Sequence, residues 1–212
     1  MAKMSGGRFL AETFEGYSVS AVFFVPDVAQ RALMEMEKFG IRRILCHTEK
    51  AAAYMADGYA RTARRPGIAM AQSVGAANLA AGLQDAWLAR SPVFALTARW
   101  PHIRRYRHAY QEIDHWPLFE PLTKFNAYVD TVDDLPMLVR QAFREATTGG
   151  PGPVHLALTG FTGEMVLDDE AELEVVVEES FAQIPPFRPE PDRWQVERAA
   201  GLLRQAQRPV LI

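Results

Sequence analysis

A strand and a helix meet in the stretch His47-Thr48-Glu49-Lys50-Ala51-Ala52-Ala53-Tyr54-Met55-Ala56-Asp57-Gly58-Tyr59-Ala60-Arg61. Residues 43–46, just before the helix, predict a short buried strand. From Thr48, a suitable N-cap, small and apolar residues recur at helical spacing. Glu49 falls at the joint between the two elements. A parallel strand that leads into a helix delivers this joint to the carboxyl edge of the sheet, where open α/β folds bind their ligands. Glu49 is therefore a candidate functional carboxylate.

The same alternation of strand and helix runs through most of the chain. Strand-like runs are predicted at residues 21–25, 43–46, 67–71, 93–97, 126–129 and 154–157. Helical patterns separate them, chiefly at residues 28–39, 48–62, 75–89 and 135–146. This alternation indicates right-handed βαβ units, and hence an α/β fold whose mainly parallel sheet is covered by helices on both faces.

The character of the sequence changes after Ala157. Residues 161–187 contain no lysine or arginine, acidic residues accumulate there, and prolines follow, so residues 161–191 are predicted to form an extended, solvent-exposed interdomain linker. A helix at 192–205 and the start of a strand at 208–212 come next. The chain thus divides into a domain of residues 1–160, the linker, and the beginning of a central domain at 192–212. Because such a beginning cannot bury its own apolar surface, we expect the chain to be the N-terminal part of a longer protein.

Composition narrows the classes of function. A formal net charge of −3 provides no basic field for gripping a nucleic-acid backbone, so nucleic acid is not an expected partner. Cys46 is the only cysteine, which excludes disulfide scaffolds and cysteine zinc sites. No apolar run has the length of a membrane span or signal peptide, so we expect a cytoplasmic protein without membrane contact. The histidines show no i, i+4 pairing and no clustering with carboxylates, so no metal site is predicted.

Further motifs follow the Glu49 segment in a fixed order. They are Ala-Gln-Ser-Val-Gly-Ala-Ala-Asn-Leu (71–79), Gly-Leu-Gln-Asp-Ala (82–86), Ser-Pro-Val (91–93), Tyr-Gln-Glu-Ile-Asp (110–114), Asp-Leu-Pro (134–136) and Ala-Thr-Thr-Gly-Gly-Pro-Gly-Pro-Val (146–154). Together with the segment around Glu49, this series resembles the pyrimidine-binding domain of thiamine-diphosphate-dependent enzymes, in particular the acetolactate synthase and 2-oxo acid decarboxylase superfamily. The resemblance covers roughly residues 5–157.

The resemblance implies an enzyme with named roles for several residues. In this family a glutamate hydrogen-bonds N1′ of the cofactor aminopyrimidine and promotes its imino tautomer, and Glu49 matches that residue. Gln111 matches a glutamine that faces the reacting carbon, so Glu49 and Gln111 are the catalytic candidates. The expected cofactor-binding residues are Pro26, Glu49, Ser73, Gly75 and Asn78. On the residues alone, a glutamate is also favoured in any first helical turn by the macrodipole, and Gln111 also fits an ordinary loop amide.

The chain departs from the family pattern in two loops beside these residues. Ser73 and Val74 replace a glycine and a proline in the loop that supports the pyrimidine ring. Residues 24–28, Phe-Val-Pro-Asp-Val, keep only Pro26 of the family's Gly-Tyr-Pro-Gly-Gly. Losing glycines where the backbone must approach a cofactor is a substantive change, so we expect a changed cofactor affinity and either a reshaped substrate pocket or an activity that diverges from acetolactate synthesis.

The resemblance also implies partners beyond this chain. The expected substrate is a 2-oxo acid, which is decarboxylated with or without transfer of the acyl carbanion to an acceptor. In the family, a separate C-terminal domain holds the diphosphate and Mg²⁺ through a Gly-Asp-Gly…Asn motif that does not occur here, so the chain alone should be inactive. The family's active site forms between subunits, which implies a homodimer or homotetramer. FAD is compatible with the resemblance, but no residue of this chain supports it.

Two other classes of function remain open from the sequence. The segment Ala71-Gln72-Ser73-Val74-Gly75 approximates the nucleophile elbow of α/β-hydrolases, which would make Ser73 the nucleophile of a serine esterase with His155 as the histidine. A noncatalytic binding module on the same fold is the second alternative, because a fold does not fix a function.

Overall fold

A computed structural model describes residues 2–210 of the chain. The strands are β1 (Ala2–Ser5), β2 (Ala21–Phe24), β3 (Arg42–Leu45), β4 (Gly67–Gln72), β5 (Val93–Arg99), β6 (Phe125–Val129), β7 (Val154–Thr159) and β8 (Glu170–Leu173). The helices are α1 (Gly6–Gly16), α2 (Gln30–Lys38), α3 (Glu49–Ala63), α4 (Gly75–Leu88), α5 (Trp116–Phe119), α6 (Leu135–Thr147), α7 (Glu164–Leu167) and α8 (Arg193–Gln205).

Six strands form one sheet in the order β3-β2-β4-β5-β7-β6, and every pairing within it is parallel. The six strands predicted within residues 1–160 are all present, but β3, predicted to be buried, is an edge strand without a buried residue. The α/β fold with a parallel sheet is therefore confirmed. The helix predicted at residues 28–39 begins at Gln30, because Ala29 before it has a left-handed backbone with φ of 50°.

Helices cover both faces of the sheet, as predicted. Along β4, Ile68 and Met70 face a core shared with α1, α2 and α6, whereas Ala69 and Ala71 face a second core shared with α3 and α4. The second core is built largely from alanines, with Leu79 among its larger members. Small side chains allow α3 and α4 to pack close to the carboxyl-edge loops that carry the candidate site residues.

The N-terminal segment forms elements that the sequence patterns did not predict. Strand β1 pairs antiparallel with β8, and α1 buries Phe9, Leu10 and Phe14. Phe14 meets Phe94 edge to face at 5.8 Å between ring centroids. The N-terminal segment is thus part of the core from Met4 onward.

The acidic segment differs from the expected solvent-exposed linker over its first half. Helix α7 and strand β8 lie within it, and Val166, Leu167 and Leu173 are buried. Its apolar residues are interspersed among the acidic ones, so it can pack one side on the domain while the carboxylates stay in water. The division of the chain into domains stays a prediction.

Helix α8 matches the helix predicted at residues 192–205 and has no buried residue. Residues 208–210 form no strand, and Leu211 and Ile212 of the predicted strand lie outside the described residues. Among the helices of residues 2–210, none combines the length and apolar content needed to cross a membrane.

Candidate active site

The carboxyl edge of the sheet collects most of the predicted site residues. Glu49 is the first residue of α3, Ser73 lies between β4 and α4, and Gln111 lies in the loop after β5. Pro26 follows β2 at the same edge but is exposed, and none of the side-chain hydrogen bonds within residues 2–210 involves it. Glu49 contacts Asn78 and approaches Gly75, and Ser73 contacts Gln111.

Glu49 is held at the N-terminus of α3. The Thr48 hydroxyl caps the helix by accepting from the Ala51 N–H at 3.1 Å, which confirms Thr48 as the N-cap. The Asn78 amide donates to Glu49 Oε2 at 3.1 Å. Glu49 Oε1 accepts no hydrogen bond from any described residue, so one carboxylate oxygen is fixed and the other is available to a ligand.

Two glycines of α4 allow this contact between the helices. A Cβ at Gly75 would lie 2.6 Å from Glu49 Oε1, and a Cβ at Gly82 would lie 2.6 Å from the Ala53 Cβ. Ala53 follows Glu49 by one helical turn, and Gly82 follows Asn78 by one turn, so the pairs stack along one seam. The bare glycines bring α3 and α4 close enough for Asn78 to reach Glu49.

Gln111 is fixed by the end of β4. The Ser73 hydroxyl donates to the Gln111 carbonyl oxygen at 2.6 Å, and the Gln72 amide donates to Gln111 Oε1 at 2.5 Å. Gln111 itself has a left-handed backbone with φ of 58°, which costs free energy for a residue with a side chain. The serine that replaces the family glycine thus fastens the loop that carries Gln111.

The same contacts argue against the esterase alternative. Ser73 is 1% exposed, and its proton is given to the Gln111 carbonyl and not to a histidine. His155 is fully buried and bonds Thr97 and Asn126. A serine nucleophile needs a histidine within hydrogen-bond reach, and the described geometry does not supply one for Ser73.

A cavity of about 510 Å³ opens beside Gln111. Its wall includes Arg99, Arg105, Gln111, His115 and Tyr128. The arginines are paired, Arg99 with Asp130 and Arg105 with Asp114. Burial, together with a hydrogen bond to Asp114, raises the pKa of Tyr128 to about 12, so its phenol stays protonated.

Behind this cavity the structure joins two histidines that sequence reasoning left apart. The Thr97 hydroxyl lies 2.8 Å from His115 Nδ1 and 2.7 Å from His155 Nε2. Burial, with a smaller effect of the Arg99 charge, lowers the pKa of His115 to about 4, and burial places the pKa of His155 well below its ordinary value. Both rings are therefore neutral near pH 7. The position of His155 in a buried strand was the one sequence signal of this cluster.

Comparisons with known proteins agree with this geometry. The family model described as "Thiamine pyrophosphate enzyme, N-terminal TPP binding domain" matches residues 4–118. The chain is 33% identical over 213 residues to the "Probable acetolactate synthase large subunit" of Methanocaldococcus jannaschii, an alignment that covers 99% of this chain and 35% of the relative. It is 30% identical to the "Acetolactate synthase isozyme 1 large subunit" of Escherichia coli, over 99% of this chain and 36% of the relative. It is 30% identical to the chloroplastic acetolactate synthase of Arabidopsis thaliana, over 97% of this chain and 31% of the relative. The chain thus spans about a third of the length of these relatives.

Proposed function

The chain belongs to the thiamine pyrophosphate enzymes, as their N-terminal TPP binding domain, and on that premise we propose that it supplies the pyrimidine-binding half of an acetolactate synthase-like active site. The proposed enzyme decarboxylates a 2-oxo acid, transfers the resulting acyl carbanion, or does both. One observation carries the proposal: Glu49 stands at the carboxyl edge with Oε2 fixed by Asn78 and Oε1 without a hydrogen-bond partner among residues 2–210.

The residues around Glu49 fit an aminopyrimidine. When bound, thiamine diphosphate supplies an electron sink for the bond that breaks at the 2-oxo acid. Glu49 Oε1 would hold and exchange one proton with a ring nitrogen, because a carboxyl group within hydrogen-bond reach of a weak base can serve as general acid and base. Asn78 keeps the carboxylate in one orientation during that exchange, and Gly75 leaves the space into which Oε1 projects.

Gln111 would act on the substrate side of the site. The resemblance assigns a glutamine here to the reacting carbon, and Ser73 and Gln72 hold Gln111 in place from the neighbouring strand. The Gln111 amide nitrogen carries two N–H donors, one of which bonds the Tyr110 hydroxyl at 3.0 Å; such donors suit the carbonyl and carboxylate oxygens of a 2-oxo acid. Ser73 therefore works as a positioning residue for Gln111. The proposal that Pro26 contacts the cofactor is supported by the family resemblance alone.

The remaining half of the site would come from outside this chain. Under the proposal, Mg²⁺ and the diphosphate are bound by a separate domain, so residues 1–212 alone have no decarboxylase activity. Leu45, Met55 and Val74 are large apolar side chains exposed on β3, on α3 and before α4, and exposed apolar side chains of this kind support contact with a second subunit. We propose a two-fold homodimer as the minimum assembly, a homotetramer as its extension, and a cytoplasmic location. FAD has no support in the described residues.

The test of this function is a Glu49→Gln substitution in the enzyme that includes the diphosphate-binding domain. Glutamine keeps the shape of the side chain but cannot exchange a proton, so exchange of the cofactor C2 proton with deuterium should slow by about 10²–10⁴. Glu37→Gln is the matched control, because Glu37 is an exposed helical glutamate paired with Arg43. An unchanged exchange rate in the Glu49 variant would remove Glu49 from the mechanism. A noncatalytic binding module would show no catalysed exchange in either protein.

A further inference from the structure

Four polar side chains form one continuous chain of hydrogen bonds inside the domain. Asn126 Oδ1 lies 2.7 Å from His155 Nδ1, His155 Nε2 lies 2.7 Å from the Thr97 hydroxyl, and that hydroxyl lies 2.8 Å from His115 Nδ1. Thr97 and His155 are fully buried, and His115 is 1% exposed. Phe119 stacks on the His155 ring at 3.6 Å between centroids, which fixes the plane of that imidazole.

The direction of every bond in this chain follows from its Asn126 end. The Asn126 amide nitrogen donates to the Trp116 carbonyl at 3.2 Å, so the amide oxygen is the atom that faces His155. His155 Nδ1 must then carry the proton that Asn126 accepts. A neutral imidazole has one N–H, so His155 Nε2 accepts from the Thr97 hydroxyl.

The same reasoning determines the tautomer of His115. The single proton of the Thr97 hydroxyl is given to His155, so Thr97 Oγ1 must accept from His115 Nδ1–H. His115 Nε2 is left with a lone pair. That atom is buried and has no hydrogen-bond partner among residues 2–210, although buried polar atoms in proteins are nearly always paired.

The His115 ring lines the cavity beside Gln111, so the missing partner can come from the cavity side. We propose that the chain Asn126–His155–Thr97–His115 holds His115 Nε2 as a hydrogen-bond acceptor for a ligand hydroxyl in this cavity. The inference goes beyond the proposed function, because it requires neither the cofactor nor the diphosphate-binding domain.

A second unpartnered atom in the same wall indicates the class of ligand. Arg99 is 5% exposed, its terminal nitrogens bond Trp100 and Asp130, and its Nε–H has no described partner. Two residues of the cavity wall thus each hold a buried atom without a partner among residues 2–210, the donor Arg99 Nε and the inferred acceptor His115 Nε2. A small 2-hydroxy acid complements both, since its hydroxyl donates and an adjacent carboxylate oxygen accepts.

One competing arrangement makes the tautomer a decisive measurement. A hydrogen bond from the His115 ring to the Ser73 backbone would partly offset the lowering of the His115 pKa by burial. If His115 Nε2 carried the proton and donated it to the Ser73 backbone, the bond between His115 Nδ1 and Thr97 would reverse. Nε2 would then no longer be an acceptor. Two-bond ¹H–¹⁵N NMR spectra of the ¹⁵N-labelled chain at pH 7 distinguish the two ring nitrogens. We expect Nδ1–H for both His115 and His155, and an averaged signal for the exposed His108. An Nε2–H signal from His115 would overturn the proposal.

Substitutions of Thr97 test whether the chain of bonds sets that tautomer. Thr97→Ser keeps the hydroxyl and should keep the Nδ1–H form of His115. Thr97→Val keeps the shape but removes the acceptor, so the His115 proton should move toward Nε2. An unchanged His115 tautomer in a folded Thr97→Val protein would contradict the inference. If that variant does not fold, the wild-type and Thr97→Ser spectra still decide the tautomer.

Ligand binding is tested with glycolate and acetate, which differ by one hydroxyl group. Glycolate should shift the His115 Nε2 resonance and bind about fivefold more tightly than acetate, the ratio expected for one added hydrogen bond. His115→Gln should abolish that preference, because an amide in its place loses the fixed lone pair. Equal effects of the two acids on His115, or no effect of either, would refute the ligand assignment. Both readouts use the chain without cofactor, so they stand apart from the test of Glu49.

Discussion

The seam between α3 and α4 makes a strong prediction about Gly82. A Cβ at this position would lie 2.6 Å from the Ala53 Cβ and 2.9 Å from the Lys50 carbonyl oxygen. Backbone cannot give way as a flexible side chain does, so Gly82→Ala must push the two helices apart. Glu49 and Asn78 lie one turn along the same seam, and the displacement should reach their hydrogen bond.

The magnitude follows from two opposing effects. Alanine favours a helix interior over glycine by about 1 kcal/mol, whereas overpacking of a tight interior costs about 1–3 kcal/mol. With two contacts below 3.0 Å we take the upper part of that range, which leaves Gly82→Ala less stable by about 1–2 kcal/mol. For a chain of this size the Tm should fall by about 2–8 °C.

Gly58 provides the matched control within α3. It is an exposed glycine in a helix interior, and a Cβ there would meet nothing within 4 Å. Gly58→Ala should therefore gain the helical preference alone, about 1 kcal/mol, and raise the Tm by about 2–4 °C. Urea unfolding of both variants gives the comparison. If Gly82→Ala is as stable as Gly58→Ala, the helices are not in contact at this glycine and the argument fails.

Further predictions concern the site and the acid stability of the fold. Gly75→Ala should leave the Tm nearly unchanged, because the nearest atoms to its Cβ belong to the flexible Glu49 side chain. Exchange of the cofactor C2 proton in the full enzyme should nevertheless slow at least tenfold. A normal exchange rate would show that the carboxylate does not need this space. Ser73→Ala removes the donor to the Gln111 carbonyl and should lower the free energy of unfolding in urea by about 1–3 kcal/mol. A change within about 0.5 kcal/mol would mean that Gln111 is held by other contacts. His115 has a pKa of about 6.5 in the unfolded chain but about 4 in the folded protein, so the unfolded state binds the proton more readily. The contribution of His115 to stability is therefore present above pH 6.5 and is lost as the pH falls. By pH 4 the free energy of unfolding should have dropped by about 3 kcal/mol from this residue. Urea unfolding between pH 7 and pH 4 should show this loss, and His115→Gln should remove the part that His115 contributes. If the free energy of unfolding of that variant falls just as steeply with decreasing pH, the assignment to His115 is contradicted.

Local sequence patterns predicted the frame of the molecule. Short apolar runs mark the strands and a period of 3.6 marks the helices. Both signals depend on neighbouring residues, and they located every strand of the parallel sheet. The Thr48 cap and the position of Glu49 at the first turn of α3 follow from the same short-range rules. With the parallel sheet predicted, the carboxyl edge as the place for Glu49 also followed, whereas Gln111 was identified through the family resemblance.

The pairing of side chains across that edge required the tertiary structure. Glu49 meets Asn78, and Ser73 meets Gln111, over 29 and 38 residues of chain. Such contacts depend on how closely two helices pack and on the path of a loop, and neither leaves a periodic signal in the sequence. A serine in the place of a family glycine was therefore interpreted as a loss, although the structure gives it a hydrogen bond to the Gln111 loop.

The elements that sequence patterns missed have a common physical cause. Residues 2–16 and 161–182 each have apolar residues that gain burial only when the two segments lie on the finished domain, where β1 pairs with β8. Likewise His115 and His155 become one cluster only because Thr97 stands between them on the central strand β5. The sequence by itself thus determined the fold class, and it pointed to the sheet edge and the carboxylate of the proposed site. Packing between distant segments decided which side chains meet there, because hydrogen bonds and burial depend on distances that no local pattern contains.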